Sequence, residues 1–125
     1  MKTLAQIRAA NALSSASQPG MGIGQQGGNA ISGYPMLVKS DGLLAALAFA
    51  IENKANGGRK QPGCFLIADA LAKHLSCDGV GIVEAENPDD LVEELSSAPD
   101  ANAGQLRRAT EESLAFLNYL KRFVS

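Results

Sequence analysis

Hydrophobic residues recur at three- and four-residue spacing along the first half of the chain, and this spacing predicts helices. Thr3 is a candidate N-cap for a first helix over about Leu4 to Ala16. A second helix is predicted over about Ala30 to Ser40, or from near Tyr34 if Pro35 occupies its first turn.

The next predicted helix, Gly42 to Lys54, is apolar on nearly every side, which is typical of a buried central helix. Asp41 is its expected N-cap. A fourth helix is predicted over about Cys64 to Ser76. We expect its inward residues to be Phe65, Leu66, Ala68, Leu71, Ala72 and Leu75.

The last part of the chain predicts two more helices after Val80–Val83, a short stretch with strand character. Asn87 is expected to cap a fifth helix, with Pro88 at its first position. The longest helix is predicted from about Ala103 to Val124. Its inward stripe is expected to comprise Leu106, Ser113, Phe116, Leu117, Leu120 and Val124.

Together these elements predict an all-α fold, a single compact bundle of five or six helices. The length of 125 residues suits one domain covering residues 1–125, with a glycine-rich loop at about 18–29. The longest apolar run has nine residues, too few to span a bilayer, and no secretory signal is recognisable. We therefore expect a cytoplasmic protein with no membrane contact.

The formal net charge of −2 hides an uneven distribution of charge. Residues 1–77 carry +4, residues 78–112 carry −8, and the last thirteen carry +2. This asymmetry suggests a basic face and an acidic face that could bind different partners, although all these charges could also be an ordinary solvated surface.

The segment Gly22-Ile23-Gly24-Gln25-Gln26-Gly27 matches the dinucleotide-binding pattern G-x-G-x-x-G. That function requires a strand before the glycines and a helix N-terminus after them. The preceding residues have no strand character, so we interpret the segment as a flexible loop. No cofactor is predicted.

His74, Cys77 and Asp78 could share one helical face, which would allow a Cys–His pair oriented by an acid. Adding Cys64 gives three potential metal ligands, but their spacing is irregular. The alternative is a structural thiol and a histidine near the negative end of a helix dipole. We predict no catalytic residue, no metal site and no enzyme activity.

Basic residues are the candidate nucleic-acid contacts, because backbone recognition needs several Lys or Arg side chains on one face. In the last helix, Arg107 and Arg108 could instead form i,i+4 pairs with Glu111 and Glu112. The predicted RNA-binding residues are Lys39, Lys54, Arg59, Lys60, Arg107, Arg108, Lys121 and Arg122.

Two stretches resemble the small-subunit family of type III-B CRISPR-Cas (Cmr) RNA-targeting effector complexes. One is RRATEESLAFLNYLKRF, residues 107–123, and the other is YPMLVKSDGLLAALAFAIENK, residues 34–54. Neither is a catalytic motif; the resemblance lies in the two stretches together, in their order and in their separation. The segment Gly20 to Gly28 matches no feature of that family.

The resemblance implies a helical, non-catalytic subunit that serves antiviral defence. Copies of it would stack in a filament beside the guide RNA–target RNA duplex, bound to other subunits of the Cmr complex. The acidic part of the chain would then face basic neighbours. The alternative is a stand-alone helical scaffold or regulator that binds protein through its acidic face and does not contact RNA.

Overall fold

In the computed structural model, which describes residues 2–22, 30–97 and 103–124, the chain forms six helices. The predicted all-α bundle of five or six helices is confirmed. The helices are α1 (Leu4–Ala16), α2 (Ala30–Asp41), α3 (Leu43–Ala50), α4 (Pro62–Ser76), α5 (Pro88–Ser96) and α6 (Ala103–Phe123).

Helix α1 begins at a capping box, as the sequence predicts. The Thr3 hydroxyl accepts a hydrogen bond from the backbone N–H of Gln6, and the Gln6 side chain accepts one from the backbone N–H of Thr3. The two bonds pair backbone N–H groups at the start of α1 that have no carbonyl partner within the helix.

Helix α2 begins at Ala30, so the alternative start near Tyr34 is wrong, and Pro35 lies inside the helix. The reason for the early start is the carbonyl of Gly22, which accepts hydrogen bonds from the backbone N–H groups of Ala30 and Ile31. The first turn of α2 therefore has a backbone cap from the segment that follows α1.

Gly42 separates α2 from α3, and the prediction that Asp41 caps α3 is wrong. Asp41 is the last residue of α2, and Gly42 occupies the N-cap position of α3 with φ = 93°. Its N–H donates to the carbonyl of Val38, while its own carbonyl accepts from the N–H of Ala46. One glycine thus ends one helix and starts the next, in a conformation that residues with a side chain avoid.

Helix α3 ends at Ala50, four residues before the predicted end, because residues 51–61 form a turn with its own hydrogen bonds. Only one side of α3 is fully buried; Ala45, Ala48 and Phe49 are exposed, so the prediction of burial on nearly every side is wrong. Among the described residues, β pairing is limited to one bridge between Asn53 and Arg59, and 80–83 forms no strand.

Helices α4 and α5 both begin with a proline, whose missing N–H costs nothing at that position. In α4 the buried residues include Ile67 and His74 in addition to four of the six predicted inward residues; Phe65 and Leu66 are half-buried. Helix α5 has the predicted cap, since the Asn87 side chain accepts a hydrogen bond from the backbone N–H of Asp90.

Helix α6 packs against α1, α2, α3 and α4 through the predicted stripe. Ser113, Phe116, Leu117 and Leu120 are fully buried, and Leu106 and Val124 pack at the edge of the core. Within the described ranges, no helix is both long and apolar enough to cross a bilayer.

Candidate nucleic-acid interface

A groove between α2 and α6 brings together Lys39 and Lys121, two lysines that are 82 positions apart in the sequence. The groove has a volume of about 420 Å³. We call it the basic groove; its lining residues are Pro35, Lys39, Leu114, Ala115, Asn118 and Lys121.

Each lysine of the basic groove lies in the last turn of its helix. Helix C-termini carry partial negative charge, which favours cations there. Both lysines are exposed, and Asn118, which lines the same groove, adds an amide that can donate a hydrogen bond. Ammonium groups beside an open groove can bind phosphate oxygens as point charges, without base specificity.

Residues 51–61 form a compact turn that we call the hairpin. The N–H of Lys60 donates to the carbonyl of Glu52, and the N–H of Lys54 donates to the carbonyl of Gly58. Both lysines are exposed. The structure therefore places Lys54 and Lys60 on an ordered turn, where the sequence predicts a helix end and a loop.

The side chain of Arg59, the remaining basic residue of the hairpin, is engaged within the protein. Its Nη1 donates to the carbonyl of Ile51 at 2.7 Å, and its Nη2 lies 3.0 Å from Asp89 Oδ2. Its guanidinium also lies over the ring of Phe65, 4.1 Å from the ring centre. RNA contact by Arg59 stays a prediction. Its guanidinium charge is already paired within the protein, and two of its N–H groups already donate hydrogen bonds there.

The basic residues of α6 lie at its two ends. Arg107 and Arg108 are exposed near the start, and Arg122 is exposed beside Lys121 near the end. The alternative that Arg108 pairs with Glu112 is wrong, because the Glu112 carboxylate is turned inward to other partners.

Glu112 forms a two-bond ion pair with Arg8 of α1. Arg8 Nε and Nη2 each lie 2.7 Å from one oxygen of the carboxylate. The same carboxylate accepts from His74 Nε2 at 2.9 Å, which ties α4 to the pair. Sequence reasoning misses this network, because its members are 38 to 104 positions apart and none forms a recognisable motif.

The hydrogen-bond partners of His74 suit a neutral ring with its proton on Nε2. The Asn11 amide Nδ2 lies 2.9 Å from His74 Nδ1, so Nδ1 is the acceptor and Nε2 carries the proton that Glu112 accepts. Burial lowers the pKa of His74 below its usual value, although Glu112 opposes the shift. Burial also acts to raise the pKa of Glu112, but the bonds from Arg8 and His74 outweigh it and the pKa is lowered.

Cys77 does not form the hypothesised pair with His74 and Asp78. Its Sγ accepts a hydrogen bond of 3.4 Å from the Asn11 amide, and the acid that orients His74 is Glu112. Cys64 is buried separately in the core, where burial raises its pKa. In the described part of the chain, no three His, Cys, Asp or Glu residues are grouped so that they could hold a metal ion.

Of the glycine motif, only Gly22 lies within the described residues. It has φ = 71°, and a Cβ added there would lie 2.8 Å from Cβ of Ile31. Together with its carbonyl bonds to α2, this close approach gives Gly22 a structural reason to be glycine. The prediction of a flexible loop over the rest of the motif falls outside the described residues.

The acidic surface is formed by Asp89, Asp90 and Glu93, exposed on α5. Glu94 is not part of it, because its carboxylate accepts from the backbone N–H groups of Glu84 and Ala85. The hairpin lies next to these acids, because Asp89 pairs with Arg59 at 3.0 Å. The basic groove lies between α2 and α6. That the protein has a basic face and an acidic face for different partners stays a prediction.

Comparison with known proteins identifies the family of the chain. The family model Cas_Cmr5, CRISPR-associated protein, matches residues 4–125. No curated protein and no solved structure matches the chain. Because the family match covers nearly the whole sequence, including both stretches that carry the resemblance, the chain belongs to the Cas_Cmr5 family, the small subunit of type III-B CRISPR systems.

Proposed function

We propose that this subunit contacts the RNA backbone in the Cmr complex through Lys39 and Lys121 of the basic groove, with Lys54 and Lys60 of the hairpin as a second contact. It would stack with copies of itself beside the guide RNA–target RNA duplex and would carry no catalytic residue. Arg107, Arg108 and Arg122 remain further candidates for RNA contact.

The convergence of Lys39 and Lys121 is the observation that carries this proposal. One lies in the stretch 34–54 and the other in the stretch 107–123, the two stretches that resemble the family. The fold brings these stretches together along α2 and α6 and leaves one exposed lysine from each beside the same groove. An open groove with a cation on each helix suits an extended polyanion better than a compact small molecule.

The environment of His74 supports a non-catalytic role. It is the only histidine in the chain, it is 1% exposed, and both ring nitrogens already have partners inside the protein. A general base needs a nitrogen that can reach a substrate proton. In this arrangement His74 joins three helices instead.

The acidic surface supports contacts with other subunits of the complex. Asp90 and Glu93 would repel RNA phosphates but would attract basic protein surfaces, whereas Asp89 is already paired with Arg59. The subunit would therefore have its acidic α5 against protein neighbours and its basic groove toward RNA.

The test is target-RNA binding by the reconstituted Cmr complex at several salt concentrations. The variant is Lys39→Ala with Lys121→Ala, and the control is Lys2→Ala with Lys73→Ala, which removes the same charge outside the groove. Removing one phosphate-binding lysine should flatten the slope of log affinity against log salt by about 0.7–0.9, so the groove variant should flatten it by about 1.4–1.8.

A weaker affinity and a flatter slope for the groove variant alone would support the proposal. Equal changes in both variants would mean that only net charge matters, which contradicts a groove contact. If the groove variant joins the complex and matches wild type, the basic groove does not contact RNA, and the protein-only scaffold becomes the better account.

A further inference from the structure

We infer that Arg59 is a positioning residue that fixes the hairpin against the helical body, so that Lys54 and Lys60 are held ready to contact phosphates. This inference rests on the proposed RNA contact. It gives Arg59 a role other than RNA contact, because its guanidinium faces the protein.

The hairpin has a defined backbone. Besides the two bonds made by Lys54 and Lys60, the N–H of Gly57 donates to the carbonyl of Lys54, and the N–H of Gly58 donates to the Asn56 side chain. Residues 52–58 are nevertheless all exposed, so no apolar side chain of this segment anchors it in the core. Its position relative to the helices must therefore depend on the residues at its base.

Arg59 provides such an anchor to two helices. It pairs with Asp89 of α5 and lies over the Phe65 ring of α4, and it also donates to the carbonyl of Ile51 at the base of the hairpin. Its side chain is only 28% exposed. A guanidinium that is already paired with a carboxylate and stacked on a ring has little capacity left for a phosphate.

The pairing register explains why anchoring Arg59 orients the two lysines. Asn53 and Arg59 face each other across the turn. Side chains alternate between the two faces of an extended segment, so Lys54 and Lys60 lie on the face opposite to Arg59. With Arg59 held against the helices, that opposite face points away from the body.

A fixed hairpin favours RNA binding because less conformational freedom disappears when the phosphates are bound. Without the anchor, both lysines would keep their charge but would have to be ordered on binding. A variant that keeps the positive charge but loses the anchor can therefore test the inference.

The first variant is Arg59→Lys, which keeps the positive charge but cannot make the two forked hydrogen bonds. Hydrogen exchange of the Lys54 and Lys60 amides reports the order of the hairpin without any RNA. We expect faster exchange at both amides and target-RNA affinity about fivefold weaker in the reconstituted complex, the size expected when a partly exposed anchoring pair is removed. Exchange and affinity that both stay near wild type would contradict the anchoring role, and weaker RNA binding without faster exchange would indicate direct phosphate contact by Arg59 instead.

The second variant is Asp89→Asn, with Glu93→Gln as its matched control on the same helix. Both remove one negative charge, and general electrostatics therefore predicts slightly tighter RNA binding for both. The anchoring role predicts the opposite for Asp89→Asn, with faster exchange in the hairpin and weaker RNA binding. Tighter binding by both variants would overturn the inference.

A third measurement separates this inference from the proposed function. If Lys54→Ala with Lys60→Ala binds RNA as wild type does, while the groove variant is impaired, the hairpin is not an RNA contact and the inference fails alone. If the groove and hairpin lysine variants both bind as wild type does, the proposed RNA contact fails and the inference fails with it.

Discussion

Nε2 of His74 lies 2.9 Å from Oε2 of Glu112, inside the contact between α4 and α6. The bond joins a neutral ring to a carboxylate that already pairs with Arg8, so a single acid serves two partners on two other helices. The helical body is therefore held together partly by a buried polar network, whose stability depends on pH.

Acidification should destabilise the protein in two successive ranges. Burial lowers the pKa of His74, so between its folded pKa and the ordinary value of 6.5 the unfolded chain binds more protons than the folded one. The free energy of unfolding should fall as pH drops below 6.5. The lowered pKa of Glu112 adds a further decrease below its ordinary value of 4.5.

Urea unfolding at a series of pH values measures both effects. Since His74 is the only histidine, a His74→Gln variant should lose the pH dependence that begins near 6.5 and keep the part below 4.5. A variant whose stability follows pH as wild type does would show that His74 is not the group responsible.

Removing the Glu112 carboxylate should be costly. Glu112→Ala leaves the Arg8 guanidinium without its carboxylate in a site where that side chain is 25% exposed, and it takes away the acceptor of His74 Nε2. We expect a decrease of about 1.5–3 kcal/mol in the free energy of unfolding, the range for losing hydrogen bonds to a charged group whose partner still reaches water.

Arg108→Ala is the control for this prediction, because Arg108 is the residue that helical spacing would pair with Glu112. Arg108 is exposed, and we expect a change within about 0.5 kcal/mol. Equal effects from both variants in denaturant titrations would contradict the assignment of Arg8 as the partner.

Two buried positions of α6 should respond in opposite ways to truncation. Phe116 is fully buried and stacks on His74 with 4.4 Å between ring centres, so Phe116→Ala should cost about 3–5 kcal/mol. The Ser113 hydroxyl is buried with no hydrogen-bond partner among the described residues, so Ser113→Ala should be neutral or slightly stabilising. Thermal unfolding of both variants measures the two changes in the free energy of unfolding. A decrease below about 1 kcal/mol for Phe116→Ala would mean that the inward stripe of α6 is not part of the core.

Two glycines near the start of α2 should also differ. Gly22→Ala introduces a Cβ that would lie 2.8 Å from Cβ of Ile31, at a positive φ, and should destabilise by more than about 1 kcal/mol. Gly33 lies inside α2, where an added Cβ would meet no described atom within 4 Å beyond its chain neighbours and the backbone of its own helix, so Gly33→Ala should stabilise by about 0.5–1 kcal/mol. Destabilisation of similar size in both variants would contradict the special role of Gly22.

Local signals are sufficient to predict most of the helices. Thr3 and Asn87 identify helix starts through hydrogen bonds made within three residues, and the stripe of α6 follows from regular spacing. The prediction at Asp41 is wrong because an acid before a glycine resembles an N-cap. The positive φ of Gly42 decides the boundary instead, and sequence periodicity does not encode it.

Less of the candidate site than of the fold can be predicted from the sequence. Local charge suffices to select Lys39 and Lys121 individually, but their meeting in one groove depends on how α2 packs against α6. The anchoring of Arg59 depends on Asp89, which is 30 positions away and which the sequence alone assigns to an acidic face. The packing of segments that are distant in the sequence determines which charged side chains pair within the protein and which lie on its surface.

The shared glycine between α2 and α3 limits where chain length can vary among members of the family. Successive residues of a helix are rotated by about 100°, so one residue inserted into α3 just after Gly42 would turn Leu43 and Leu47 away from the core. The hairpin has no such constraint at its exposed tip. We therefore expect insertions and deletions to be tolerated at residues 55–58 and excluded at residues 41–43.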